Sequence, residues 1–209
     1  MNEETMSIRH ILISAAFLAS LLAAGAARSG DSGVDYYAVV VGGGDPAREN
    51  RPPPSLERGM TAYLAGDFAS ARKEWSPLAE LGQAEAQYGL GLLFEQGRGI
   101  GKDAAKAAEW YRRAAGQGYV KARFNLGVLL STPGPLHDDA EAAKWYRMAA
   151  EQGDARAQFN LALCHIEGRG VPRDDIEAET WLHRAAGQGH AKAAIAFDLL
   201  RERALRKGM

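Results

Sequence analysis

Cys164 is the only cysteine in this 209-residue chain. A catalytic thiol needs a neighbouring base to make the thiolate, and His165 is adjacent in sequence. On a helix, though, successive side chains diverge by about 100°, so the two point apart. Cys164 also recurs in phase with Leu93 and Leu129, which reads as a small apolar packing residue. His10, His137, His165, His183 and His190 form no HExxH and no i, i+4 pair. Solvated or capping roles account for them better than a shared metal. The carboxylate pairs Asp138-Asp139 and Asp174-Asp175 stand where helices should begin, where capping and the helix dipole explain them. No G-x-S-x-G elbow is present. Gly42-Gly43-Gly44 follows a β-prone run at 34–41, but Asp45-Pro46 and a proline run come next, not the helix a phosphate loop requires. The expectation is no catalytic residue, no metal and no cofactor.

Binding chemistry is better represented. Lys121, Arg156 and Lys192 fall at one position of a repeating pattern, where the first copy has Glu85. Cations at helix N-termini oppose the macrodipole, so something other than helix stability favours them. Arg123, Asn125 and Asn160 lie close by in the pattern, and an asparagine amide both donates and accepts, which suits a peptide backbone. This strip is expected to contact an extended acidic segment of a protein partner.

The elements that must carry this strip come from the repeat. Trp75, Trp110, Trp145 and Trp181 recur at nearly constant spacing, as do Gly82, Gly118, Gly153 and Gly189. Residues 109–118 read EWYRRAAGQG, 144–153 KWYRMAAEQG and 180–189 TWLHRAAGQG; AQYGLG, ARFNLG and AQFNLA recur in phase. Two blocks repeating together define stacked supersecondary units. Helix A is expected over 84–95, with Ala86, Leu90, Leu93 and Phe94 on one stripe. Gly97-Arg98-Gly99 ends it. Asp103, Asp138 and Asp174 are expected N-caps, with Glu141 and Glu177 completing capping boxes. The predicted core comprises the four tryptophans, Leu90, Leu126 and Leu161, with Gly91 and Gly127 allowing close helix approach. Alanine follows each tryptophan by four residues for the same reason. Trp110→Ala is expected to cost about 3–5 kcal/mol.

The charge is nearly balanced, 25 Lys and Arg against 26 Asp and Glu, unlike the basic excess of nucleic-acid binders. Residues 11–27 are apolar and uncharged, preceded by Arg9 and His10 and ending in Ala24-Gly25-Ala26. This is the layout of a secretory signal peptide; Met6 gives a better start for it than Met1. Cleavage after Ala26 would leave 24 basic and 24 acidic residues. The expected organisation is a signal peptide over 1–26, an extended linker over 27–55 and a repeat solenoid over 56–207. The solenoid divides into a half-repeat 56–82, repeats 83–118, 119–153 and 154–189, and a capping helix 190–207. A periplasmic or secreted protein follows; if the run is retained, an inner-membrane-anchored assembly factor, with membrane contact through that run.

The pattern A-x-x-x-L-G, G-x-G-[IV], D-x-x-x-A-x-x-W-Y-x-x-A-A-x-Q-G is similar to the Sel1-like repeat, a branch of the tetratricopeptide-like solenoids. The second copy departs at Ser131–Pro135, and the third carries Ala162 and Leu182 in place of glycine and tyrosine. The resemblance implies an all-α, right-handed superhelix whose A helices line a groove, and an adaptor that binds proteins. Cysteine-rich members of the family are linked to β-lactam chemistry. Their paired cysteines are lacking here, which leaves a β-lactam- or peptidoglycan-acting enzyme as the minor alternative.

Overall fold

The computed structural model describes residues 52–207, and among them it contains helices and no strand. The A helices are α1 (Leu56–Leu64), α3 (Ala84–Gln96), α5 (Val120–Ser131), α7 (Ala155–Glu167) and α9 (Ala191–Lys207). The B helices are α2 (Phe68–Glu80), α4 (Ala104–Gly116), α6 (Asp139–Glu151) and α8 (Asp175–Gly187). Each helix packs against the one before and the one after it, which is the nearest-neighbour architecture of an α-solenoid. The apolar run at 11–27, the segment 34–41 and the linker up to residue 51 lie outside the described residues. No described helix is long and apolar enough to cross a membrane.

Helix starts are set by aspartates. Asp67, Asp103, Asp138, Asp154 and Asp174 each accept a backbone N–H from the first turn of their helix. The expected capping boxes are half-made. The Asp138 N–H donates to the Leu130 carbonyl and the Asp174 N–H to the His165 carbonyl, so nothing is left for the glutamates to cap. Glu141 and Glu177 turn outward instead. They accept from Trp145 Nε1 (3.1 Å) and Trp181 Nε1 (2.9 Å), and pair with Arg112 and Arg147 of the preceding B helix. Helix B ends at Leu81-Gly82 and at the three later Q-G dipeptides, and Gly82, Gly118, Gly153 and Gly189 have φ near +90°. Side chains avoid that region.

The core differs from the sequence reading at Trp110 and Trp145. Trp75 and Trp181 are buried, but Trp110 and Trp145 are only half-buried. The tyrosines after them, Tyr111 and Tyr146, fill the interior at 0% and 3% exposure. A Cβ at Gly91 would overlap the Tyr111 ring, and one at Gly127 would stand 2.6 Å from Tyr146 Cε1. Those glycines therefore admit tyrosine, not tryptophan. Where the third repeat has Ala162, the facing residue is Leu182, fully buried. Leu90, Leu126 and Leu161 are buried, as are the alanines Ala79, Ala114, Ala149 and Ala185.

Candidate functional site

A partly apolar recess lies on the first A helices. A groove of about 410 Å³ is lined by Leu56, Met60 and Tyr63 of α1, Trp75 of α2, Tyr88, Gly89 and Leu92 of α3, and Tyr119 ahead of α5. Glu57, Glu85 and Lys121 form its polar edge.

Local packing explains why the groove opens here. Trp75 sits between two glycines: a Cβ at Gly89 would be 2.5 Å from its Cε3, and one at Gly59 would also overlap the ring. Its indole N–H donates to the Leu56 carbonyl at 3.4 Å. Glu74 fixes the start of α1 as well, accepting from the Ser55 N–H (2.8 Å) and from Arg58 (2.9 Å). Trp75 thus forms a floor, its ring seated directly against the Gly89 backbone. In the next two repeats the position of Gly89 holds Asn125 and Asn160.

Those asparagines serve the core tyrosines. Asn125 donates to the hydroxyls of Tyr111 (3.3 Å) and Tyr88 (3.5 Å), while Tyr111 donates to Glu95. Tyr146 shares a 2.9 Å hydrogen bond with Ser131, and Asn160 also faces its hydroxyl. Burial, reinforced by Glu95, pushes the Tyr111 hydroxyl far above the ordinary tyrosine range. It is a neutral structural donor. When tyrosine becomes Leu182, the two polar positions become Ile166 and Ala196.

Arg123 is likewise committed to the fold. Its Nε donates to the Ala115 carbonyl (3.1 Å) and its Nη1 to the Met148 carbonyl (3.4 Å), at the ends of α4 and α6. Gln87 and Gln158, its counterparts, bond the Ala79 and Ala150 carbonyls and accept from Gln117 and Gln188 at 2.8 Å. Arg156 lies over the Phe124 ring at 4.1 Å, paired to Asp154 at 2.7 Å. Of the six residues of the expected strip, Lys121 and Lys192 are exposed and make no ion pair among the described residues. Arg123 donates to the Ala115 and Met148 carbonyls, Asn125 to the Tyr111 and Tyr88 hydroxyls, and Asn160 faces the Tyr146 hydroxyl, so these three also have roles within the fold.

Cys164 and His165, the sequence's candidate nucleophile and neighbouring base, are both buried. Burial raises the pKa of Cys164, disfavouring the thiolate that a nucleophile needs. His165 is buried, with Nε2 3.1 Å from Arg147. No group of three His, Cys, Asp or Glu side chains among the described residues could hold a metal ion.

Sequence reasoning missed the groove because α1 carries no copy of the repeat's helix-A text. The signal available was Gly89 at a position that holds asparagine in the next two repeats.

Helix pairs joined end to end, with small-residue contacts that recur from repeat to repeat and a recessed face on the A helices, define a tetratricopeptide-like repeat solenoid. The Sel1 repeat family model matches residues 84–119, 120–154 and 155–190, just over half of the chain. The chain belongs to the Sel1 repeat family. The crystal structure of a Sel1 repeat protein from Oxalobacter formigenes is similar, with 34% identity and a TM-score of 0.66 over 69% of this chain and 60% of that one. A protective antigen of uropathogenic Escherichia coli with the same repeat fold is 34% identical, with a TM-score of 0.68 over 76% of this chain and 35% of that one. Chitin synthase regulatory factor 3 of Schizosaccharomyces pombe is 49% identical over 45 residues, 22% of this chain and 5% of that protein. This chain therefore spans less than two thirds of each of these relatives.

Proposed function

We propose that this protein is an exported adaptor that holds a protein partner in the groove of its first A helices, working in the cell envelope without catalysis. Sel1 repeats mediate protein–protein interaction, and the observation that carries the reading is the groove itself. Its apolar lining from Leu56, Met60, Tyr63, Tyr88 and Leu92, edged by Glu57, Glu85 and Lys121, has the apolar centre and polar rim of a peptide-docking surface. Tyr88 and Tyr119 supply amphipathic surface; burial raises both hydroxyls above the usual range, with Glu85 adding to the effect at Tyr119. Export and envelope location rest on the uncharged run at 11–27 with its basic lead and small-residue end. A regulatory role is suggested by the name of the fungal relative, over its short match.

Two measurements test this. A reporter enzyme active only outside the cytoplasm, fused after residue 207, should be active; inactivity removes the export half. A photo-crosslinker placed at Met60 or Lys121 should capture a discrete partner that the same group at Lys144, on a B helix, does not. Equal capture at both places, or none at either, would remove the groove.

A further inference from the structure

The second residue of every A helix is charged and exposed: Glu57 in α1, Glu85 in α3, Lys121 in α5, Arg156 in α7 and Lys192 in α9. Along the solenoid the sign runs negative, negative, positive, positive, positive. The three homologous repeat positions 121, 156 and 192 are cationic, and position 85 alone inverts. Glutamate at a helix N-terminus is favoured by the dipole, whereas lysine there is disfavoured, so helix stability does not account for the switch. Glu57, Glu85, Lys121 and Lys192 carry no ion pair among the described residues. Their fields are thus free to act on a ligand. Arg156 is partly neutralised by Asp154 and adds the flat guanidinium–Phe124 stack to the row. The apolar groove sits at the sign change, edged by Glu57 and Glu85 together with Lys121.

From this juxtaposition, and resting on the groove reading above, we infer that the ligand is an extended peptide segment with segregated charge. Basic residues lie over α1 and α3, one large apolar side chain enters the groove, and acidic residues follow over α5 to α9. A uniformly acidic segment would place carboxylates against Glu57 and Glu85, and like charges brought together oppose binding. Packed helices are about 8–10 Å apart and an extended chain advances about 3.3 Å per residue. Successive A helices flank a B helix and stand at least that far apart, so each A helix would take about three residues or more and the whole row a segment of at least about a dozen.

The test is a selection of random twelve-residue peptides, displayed on phage, against the full chain. Affinities of the selected peptides are then measured by fluorescence anisotropy. Expected binders carry Lys or Arg on one side of a central Leu, Met, Phe or Tyr and Asp or Glu on the other. They should weaken at least fivefold on Glu57→Lys with Glu85→Lys, at least fivefold on Lys121→Glu with Lys192→Glu, and again when salt is raised. Helicity measured alongside shows that these exposed substitutions leave the fold intact. Binders that lack segregated charge and ignore both double variants, but are lost on Met60→Glu, would overturn the charge order while leaving the groove. No binders, or binders indifferent to Met60→Glu, would overturn the groove and the inference together.

Discussion

Tyr111 and Gly91 act as one packing unit divided between two helices, and the same unit recurs as Tyr146 with Gly127. Gly91→Ala should destabilise by about 1–3 kcal/mol through overpacking. Combined with Tyr111→Leu, which reproduces the third repeat's Ala162 and Leu182, most of that loss should be recovered. A double-mutant cycle in denaturant measures the coupling; simple additivity would contradict the pairing. The tryptophans divide by burial. Trp75→Ala should cost about 3–5 kcal/mol, whereas Trp110→Ala, at a half-buried site, should cost about 1–3 kcal/mol. Equal losses would mean that the tyrosine is not the filler.

Between elements, the weak points are the last carbonyls of the B helices, which lack intrahelical donors. Gln87 and Gln158 supply donors, and their own oxygens accept from Gln117 and Gln188, so two successive repeats are tied through one side chain. Arg123 occupies the middle position and has no acceptor for Gln152; it reaches the Met148 carbonyl instead. Arg123→Gln should rebuild the glutamine link and shift stability by less than about 1 kcal/mol. Arg123→Ala removes one of two donors to the Ala115 carbonyl, which keeps the Gly118 N–H at 3.0 Å, and should cost about 1–1.5 kcal/mol. Thermal unfolding of the two variants, ranked the other way, would exclude the clamp. At the end of the array, Asp198 stands where Gly91, Gly127 and Ala162 admit the next B helix. Asp198 is exposed, and a helix packed on α9 at that contact would meet its carboxylate.

Across the whole molecule, charge at helix N-termini ties the fold to pH. At Asp154 burial opposes ionisation, but Arg156 and the backbone N–H groups of Ala157 and Arg156 outweigh it and hold the carboxyl below its ordinary range. Asp67, Asp103 and Asp174 are lowered mainly by hydrogen bonds from their own first turns, and Glu141 mainly by Arg112. A group depressed in the folded state contributes stability above its unfolded pKa and loses it as pH falls through the folded value. The melting temperature should therefore be flat near neutrality and drop below about pH 4. Asp154→Asn should lower the neutral value and make the acid drop shallower. An unchanged acid profile in that variant would show that Asp154 is not a linked group.

The repeat, its all-helical class, the aspartate caps and the small-residue contacts were legible in the sequence. They depend on spacing along the chain and on backbone preferences that act locally. Which large residue fills each contact was not legible, because Trp110 and Tyr111 are adjacent, both aromatic and both periodic. Only the depth to which a neighbouring helix approaches, set by Gly91, selects between them. The binding strip was legible as charge and illegible as availability: whether Arg123 or Asn125 is free depends on carbonyls and hydroxyls brought to it by helices up to 37 residues away. The groove needed three A helices and a tryptophan held between two glycines, and no single stretch of sequence contains it.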